Sequence, residues 1–204
     1  MTTATPMRDA FLEPWQRPTG FTLVELMVTV VVLSILLGLA VPAFRTFMQN
    51  DQQWTQQNNL VLALNSARSE AIKNDLPGGV SVCASTGTGN PPTCDGASWA
   101  QGWIVLPSVN PFNPAAAPKP VQVVGALPPG TTLNEANANL SLTFLSNGVL
   151  NTGLLANPAA PVAFKMCDSR GATYARYLQV NLMGRVVASP TVGQDLNNAA
   201  LTCP

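Results

Sequence analysis

Arg17-Pro18-Thr19-Gly20-Phe21-Thr22-Leu23-Val24-Glu25-Leu26 is where the chain changes character. A leader with charges at Arg8, Asp9, Glu13 and Arg17 ends in a glycine. From Phe21 to Val41 the sequence then reads FTLVELMVTVVVLSILLGLAV, 21 residues whose one charge is Glu25. At ~1.5 Å rise per residue such a helix just spans a hydrocarbon core of ~30 Å. A lone carboxylate there costs roughly 2.5–3.5 kcal/mol on insertion scales, so Glu25 calls for a partner. The plainer reading is a signal anchor in which Glu25 has no role.

These residues resemble the type IV pilin and pseudopilin motif, and the match covers the leader and first helix closely. The resemblance implies that a prepilin peptidase cuts after Gly20 and that the new N-terminal residue, Phe21, is N-methylated. It also implies that Glu25 pairs with the N-terminal amine of a neighbouring subunit in a filament. Pro42 stands where the family often has a proline. A secretory signal peptide fits less well, because its shorter apolar core precedes the cleavage site. Here the implied cut precedes the run, which stays in the mature protein. The resemblance thus divides the chain into a leader (1–20), a long helix (21–76) with a transmembrane segment (21–41), and a β-rich domain (77–204).

The length suits one membrane helix plus one globular domain. Lys+Arg and Asp+Glu are ten each, and the leader carries two of each sign, so the formal charge is zero with or without it. No global basic field exists to attract nucleic acid. Charged residues are only 10%, low for a soluble surface and tolerable in a subunit buried against neighbours. There is no His, which rules out a Ser-His or Cys-His nucleophile and a His metal site. No Gly-rich phosphate loop and no carboxylate pair at a recognisable spacing appears. The expectation is a protein without enzymatic activity, cofactor or metal.

Four cysteines, Cys83, Cys94, Cys167 and Cys203, all lie beyond the apolar run. The even count and the implied export favour disulfides. Three pairings are possible. The preferred one joins Cys83 to Cys94 across a short Gly/Pro-rich loop and Cys167 to Cys203, tying the C-terminal tail to a predicted strand. The rival, a zinc site of four cysteines, has no CxxC spacing behind it.

Between Phe44 and Asn74 there is no Gly or Pro, so the helix should continue past the apolar run. Leu60, Leu64, Ala67 and Ala71 recur on one helical face, while Arg68, Glu70 and Lys73 lie largely off it. Leu76-Pro77-Gly78-Gly79 should stop the helix. Pro42 should kink or loosen it, and the resemblance to pilins makes Ser34 to Phe44 a candidate extensible segment. Beyond Gly79 the pattern turns to period two. It predicts strands at Val80–Cys83, Gly102–Leu106, Val121–Val124, Ser141–Leu145, Val162–Cys167, Tyr177–Asn181 and Arg185–Ala188. Asn147-Gly148 and Met183-Gly184 read as turns, and the proline-rich segment from Pro107 to Pro120 as a surface loop. The fold class is α+β: a long N-terminal helix, half membrane-spanning and half amphipathic, packed on antiparallel β-sheet, the pilin fold.

The C-terminal half narrows the resemblance. Phe144-Leu145-Ser146-Asn147-Gly148, Val162-Ala163-Phe164-Lys165-Met166-Cys167, Tyr177-Leu178-Gln179-Val180, Gly184-Arg185-Val186 and Trp99-Ala100-Gln101-Gly102-Trp103-Ile104-Val105 resemble, in order, segments of the GspH/FimT (FimT/FimU) branch of minor pilins. The resemblance implies a minor pilin of a type IV pilus tip or initiation complex, partnered by other major and minor pilins. It also implies a single-pass protein of the bacterial inner membrane with its domain in the periplasm. The alternative is the H-type minor pseudopilin of type II secretion. Some members bind DNA through Gly-Arg-x-Arg. Here Gly184 and Arg185 match, but Val187 takes the second arginine's place, leaving Lys165, Arg170 and Arg176 as reinforcements. DNA binding is therefore not favoured. Trp99 and Trp103 read as packing residues in preference to a partner-binding patch.

Overall fold

The computed structural model describes residues 20–203, so the expected leader, save Gly20, lies outside the described residues. Helix α1 runs Leu23–Asn74. Thr22 starts it: the Glu25 N–H donates to Thr22 Oγ1 (3.2 Å) and the Leu26 N–H to the Thr22 carbonyl (3.1 Å). Thr22-x-x-Glu25 has capping-box spacing, and an acid in the first turn complements the helix dipole. Helical structure continues through Pro42, which leaves the carbonyl of Gly38 without its usual donor. At the far end Asp75 adopts φ 45° and the Gly79 N–H returns to the Leu76 carbonyl, closing the helix at Asn74.

Two compact units divide inside α1, between Thr46 and Phe47. In the first, every side chain from Phe21 to Thr46 is exposed. Its polar hydroxyls are satisfied locally: Thr29 donates to Leu26 O (2.8 Å), Ser34 to Val31 O (2.7 Å) and Thr46 to Pro42 O (3.3 Å). This is how a helix carries such groups through lipid.

The second unit, from Phe47 onward, holds the rest of α1 and eight strands: β1 Val80–Ala84, β2 Trp103–Pro107, β3 Gln122–Val124, β4 Thr132–Glu135, β5 Ser141–Phe144, β6 Val162–Cys167, β7 Arg176–Val180 and β8 Val186–Ala188. They form two four-stranded sheets, ordered β3-β2-β1-β5 and β4-β6-β7-β8, antiparallel throughout. Leu60, Leu64, Ala67 and Ala71 of α1 are buried in one core with Val82, Trp103, Phe144, Phe164 and Leu178 of the sheets. The small alanines let the helix backbone approach closely. Across β1 and β5, Ser81 and Thr143 are register partners whose hydroxyls bond at 2.8 Å.

The seven strands expected from periodicity are present, each with ends within one residue of the expectation. β4 is an addition. Thr132-Leu133-Asn134-Glu135 offers one apolar side chain, and Asn134 and Glu135 are poor strand formers, so its alternation was hidden. Leu133 and Glu135 both face inward. The buried Glu135 carboxylate accepts from the Asn137 and Asn139 N–H groups and the Asn139 amide on one oxygen.

Candidate functional site

At the N-terminal end, Gly20 and Phe21 precede the helix, and the Phe21 side chain is 82% exposed. No ion pair reaches Glu25 among the described residues. Its backbone is spent on the Thr22 cap, leaving the carboxylate open to an external cation. From Phe21 to Met48 the apolar side chains face outward, a surface that only lipid or other helices would cover. The helix is long and apolar enough to cross a membrane.

In the second unit, Cys83 is joined to Cys94 and Cys167 to Cys203, with Cα–Cα distances of 5.5 and 6.0 Å. No thiolate remains for zinc among the described residues. The first bridge closes a loop stitched by Asp95. Its carboxylate accepts from the Thr86 N–H (2.9 Å), the Thr86 hydroxyl (2.9 Å) and the Ser85 hydroxyl (3.1 Å). The Thr86 bonds, backbone first, hold the Asp95 carboxyl below the usual carboxylate range. The second bridge pins the tail onto a small cluster of Cys167, Ala175 and Leu201.

Of the four basic residues considered for DNA, Arg170 and Arg176 lie near each other, but the four do not converge on one face. Arg170 gives Nε and Nη2 to Asp168 (2.9 and 2.7 Å), gives Nη1 to Asn50 (2.7 Å), and stacks on Tyr174 at 4.3 Å. Arg176 lies over Trp54 at 4.8 Å. Lys165 reaches the Thr202 carbonyl at 3.3 Å. Arg185 is exposed in the β7–β8 turn, where its carbonyl accepts from Asn181. Arg176 and Arg185 thus stand at opposite ends of β7, five residues or ~17 Å apart along the strand. Val187 sits in β8 opposite Gln179.

Trp99 and Trp103 are packing residues: both are buried, Trp99 donates to the Asn139 carbonyl (2.7 Å) and meets Phe164 edge-on at 4.9 Å. Sequence reasoning missed Arg68, whose Nε donates to the Gly148 carbonyl at 2.9 Å. That bond latches the β5 turn to α1, and the β7–β8 turn packs against it: a Cβ on Gly184 would fall on the Gly148 carbonyl oxygen and lie 3.3 Å from Arg68 Nε. It also missed Asn50, which accepts from Arg170 of the β6–β7 connection, and Trp54, which lies under Arg176 at the start of β7. The aromatic on a polar stretch of helix was the available signal.

Residues 56–184 match the family described as type II transport protein GspH, and residues 15–41 match the prokaryotic N-terminal methylation motif. No curated protein matches the chain. A crystal structure of the Pseudomonas aeruginosa (strain PAO1) type IV minor pilin FimU is similar in fold, with TM-score 0.51 and 23% identity over 71% of this chain and 92% of that one. A second crystal form of the same protein gives 0.47 and 22% over 65% and 89%.

Proposed function

The chain belongs to the GspH family of minor pilins and pseudopilins, and on that premise we propose that it is a minor pilin of a type IV pilus tip or initiation complex. Prepilin peptidase cuts after Gly20, Phe21 is N-methylated, and Glu25 binds the N-terminal amine of a neighbouring subunit. Before assembly the protein is held in the inner membrane by residues 21–41 with its β-rich domain in the periplasm. The observation that carries this reading is the outward-facing apolar helix whose first turn leaves the Glu25 carboxylate unpaired among the described residues. A carboxylate at that depth is too costly unless assembly supplies the cation. Cys83–Cys94 and Cys167–Cys203 stabilise a scaffold that has structural work only, with no metal or cofactor. The fold shared with FimU fits this reading.

The description of the matching family favours a second reading, a minor pseudopilin of type II secretion. Deleting the gene separates them. The pilus reading expects surface pili to fall in number with secretion intact; lost secretion with normal piliation overturns it in favour of the pseudopilus. DNA uptake is the less supported third role, because Arg170 and Lys165 already have acceptors and Arg185 stands apart from them. A gel shift that is salt-sensitive and abolished by Arg185→Gln would reverse that ranking.

A further inference from the structure

We propose that Arg176, stacked on Trp54 and backed by Arg170, binds the phosphate of an anionic phospholipid headgroup at the membrane surface. This rests on the membrane helix and holds for a pilus or a pseudopilus subunit alike.

Arg176 is the odd member of the basic set. Its Nε is shut off from solvent with no hydrogen-bond acceptor among the described residues, and no ion pair neutralises it there. Burial, then the nearby Arg170 charge, pulls its guanidinium below the ordinary value. Arg170 differs: Asp168 neutralises it and Asn50 takes Nη1. A half-buried guanidinium 4.8 Å over an indole ring, with no side-chain acceptor among the described residues and a second cation nearby, favours an oxyanion reaching it from the open side. Trp54 remains 52% exposed, so the pair is open on one side.

The location selects the source of the phosphate. Within the second unit, Trp54 lies on the first turns of α1 after Phe47, thirteen residues past Val41. Even fully extended, thirteen residues span only ~47 Å, so before assembly the site stays within that reach of the bilayer. Tryptophan at a headgroup and arginine near anionic lipid are both favourable there. Nucleic acid has no such tether, and the chain's formal charge is zero.

The test uses the full chain in neutral detergent, with equimolar phosphatidylglycerol and phosphatidylcholine added and bound lipids counted by native mass spectrometry. Wild type should retain phosphatidylglycerol in preference. Arg176→Gln should lower that occupancy about fivefold, the weight of one cation at an anionic surface, leaving phosphatidylcholine unchanged. Arg185→Gln, at the other end of β7, should change neither. Soluble glycerophosphoglycerol should compete with wild type for the same site, a readout that needs no variant to fold. Equal retention of the two lipids, an unchanged preference in Arg176→Gln, or Arg176-dependent binding of a single-stranded oligonucleotide that phosphatidylglycerol does not displace would each overturn the proposal.

Discussion

Replacing Gly184 by Ala tests whether the glycine before Arg185 is there for backbone geometry. Gly184 has φ 74°, in the left-handed region, where a residue with a Cβ is disfavoured by roughly 1–2 kcal/mol. The new methyl would collide with the Gly148 carbonyl oxygen and press on Phe144 Cδ1 and Arg68 Nε, each 3.3 Å away. That carbonyl is the acceptor for Arg68 Nε at 2.9 Å. A hydrogen bond from a charged donor is worth roughly 1.5–3 kcal/mol, so separating the two turns puts it at risk. With partial relaxation the total loss should be about 3 kcal/mol. Gly130→Ala is the control: φ is 81° in the turn closed by the Thr131 N–H on the Pro128 carbonyl, but nothing lies within 4 Å of the added carbon, so only the roughly 1–2 kcal/mol conformational part should appear. Urea unfolding of the full chain in mild detergent, followed by emission of the buried Trp99 and Trp103, reads both as midpoint shifts at constant slope. If the two variants lose the same stability within ~0.5 kcal/mol, the three-way contact of Arg68, Gly148 and Gly184 is not what holds these turns.

Glu25→Ala should leave the domain folded, with its urea midpoint unchanged, but should sharply reduce recovery of the protein in sheared filaments; normal recovery would remove the pairing role. Cys203→Ser opens a bridge that spans 36 residues, for which chain-entropy arithmetic gives about 4 kcal/mol. Limited proteolysis should then cut near Gln194–Leu201 first, and an uncut tail would show that packing of Leu201 alone suffices. Acid should loosen the Thr86–Asp95 loop. Asp95 is depressed when folded, so its contribution is complete above the ordinary carboxylate value and is lost as pH falls below it, through the folded value. Amide exchange at Thr86 should accelerate across that window, and Asp95→Asn should abolish the pH dependence.

The helix and the strands β1, β2, β3, β5, β6, β7 and β8 were legible because their periodicity and the turns at Asn147-Gly148 and Met183-Gly184 agree. β4 was not, since Glu135 is buried by donors in its own following turn and reads as a polar loop residue. The division into two sheets was also hidden. It depends on β1 pairing with β5 and β4 with β6, across stretches of chain that carry no local signal. The helix cap at Thr22, whose hydroxyl accepts from the Glu25 N–H, was visible as Thr22-x-x-Glu25 and was masked by the stronger membrane signal. Arg68 lay off the apolar face and looked solvated; only the β5 turn folding back on it reveals the acceptor. Asn50 meets Arg170 across 120 residues, a contact that spacing cannot announce.

The most direct test of the account is the mass of the N-terminal peptide of this protein in pili sheared from cells. The account predicts a substoichiometric subunit whose chain begins at N-methylated Phe21, with residues 1–20 gone. A filament-associated chain that still carries Met1 to Gly20, or a processed chain that never leaves the membrane fraction of piliated cells, would contradict it.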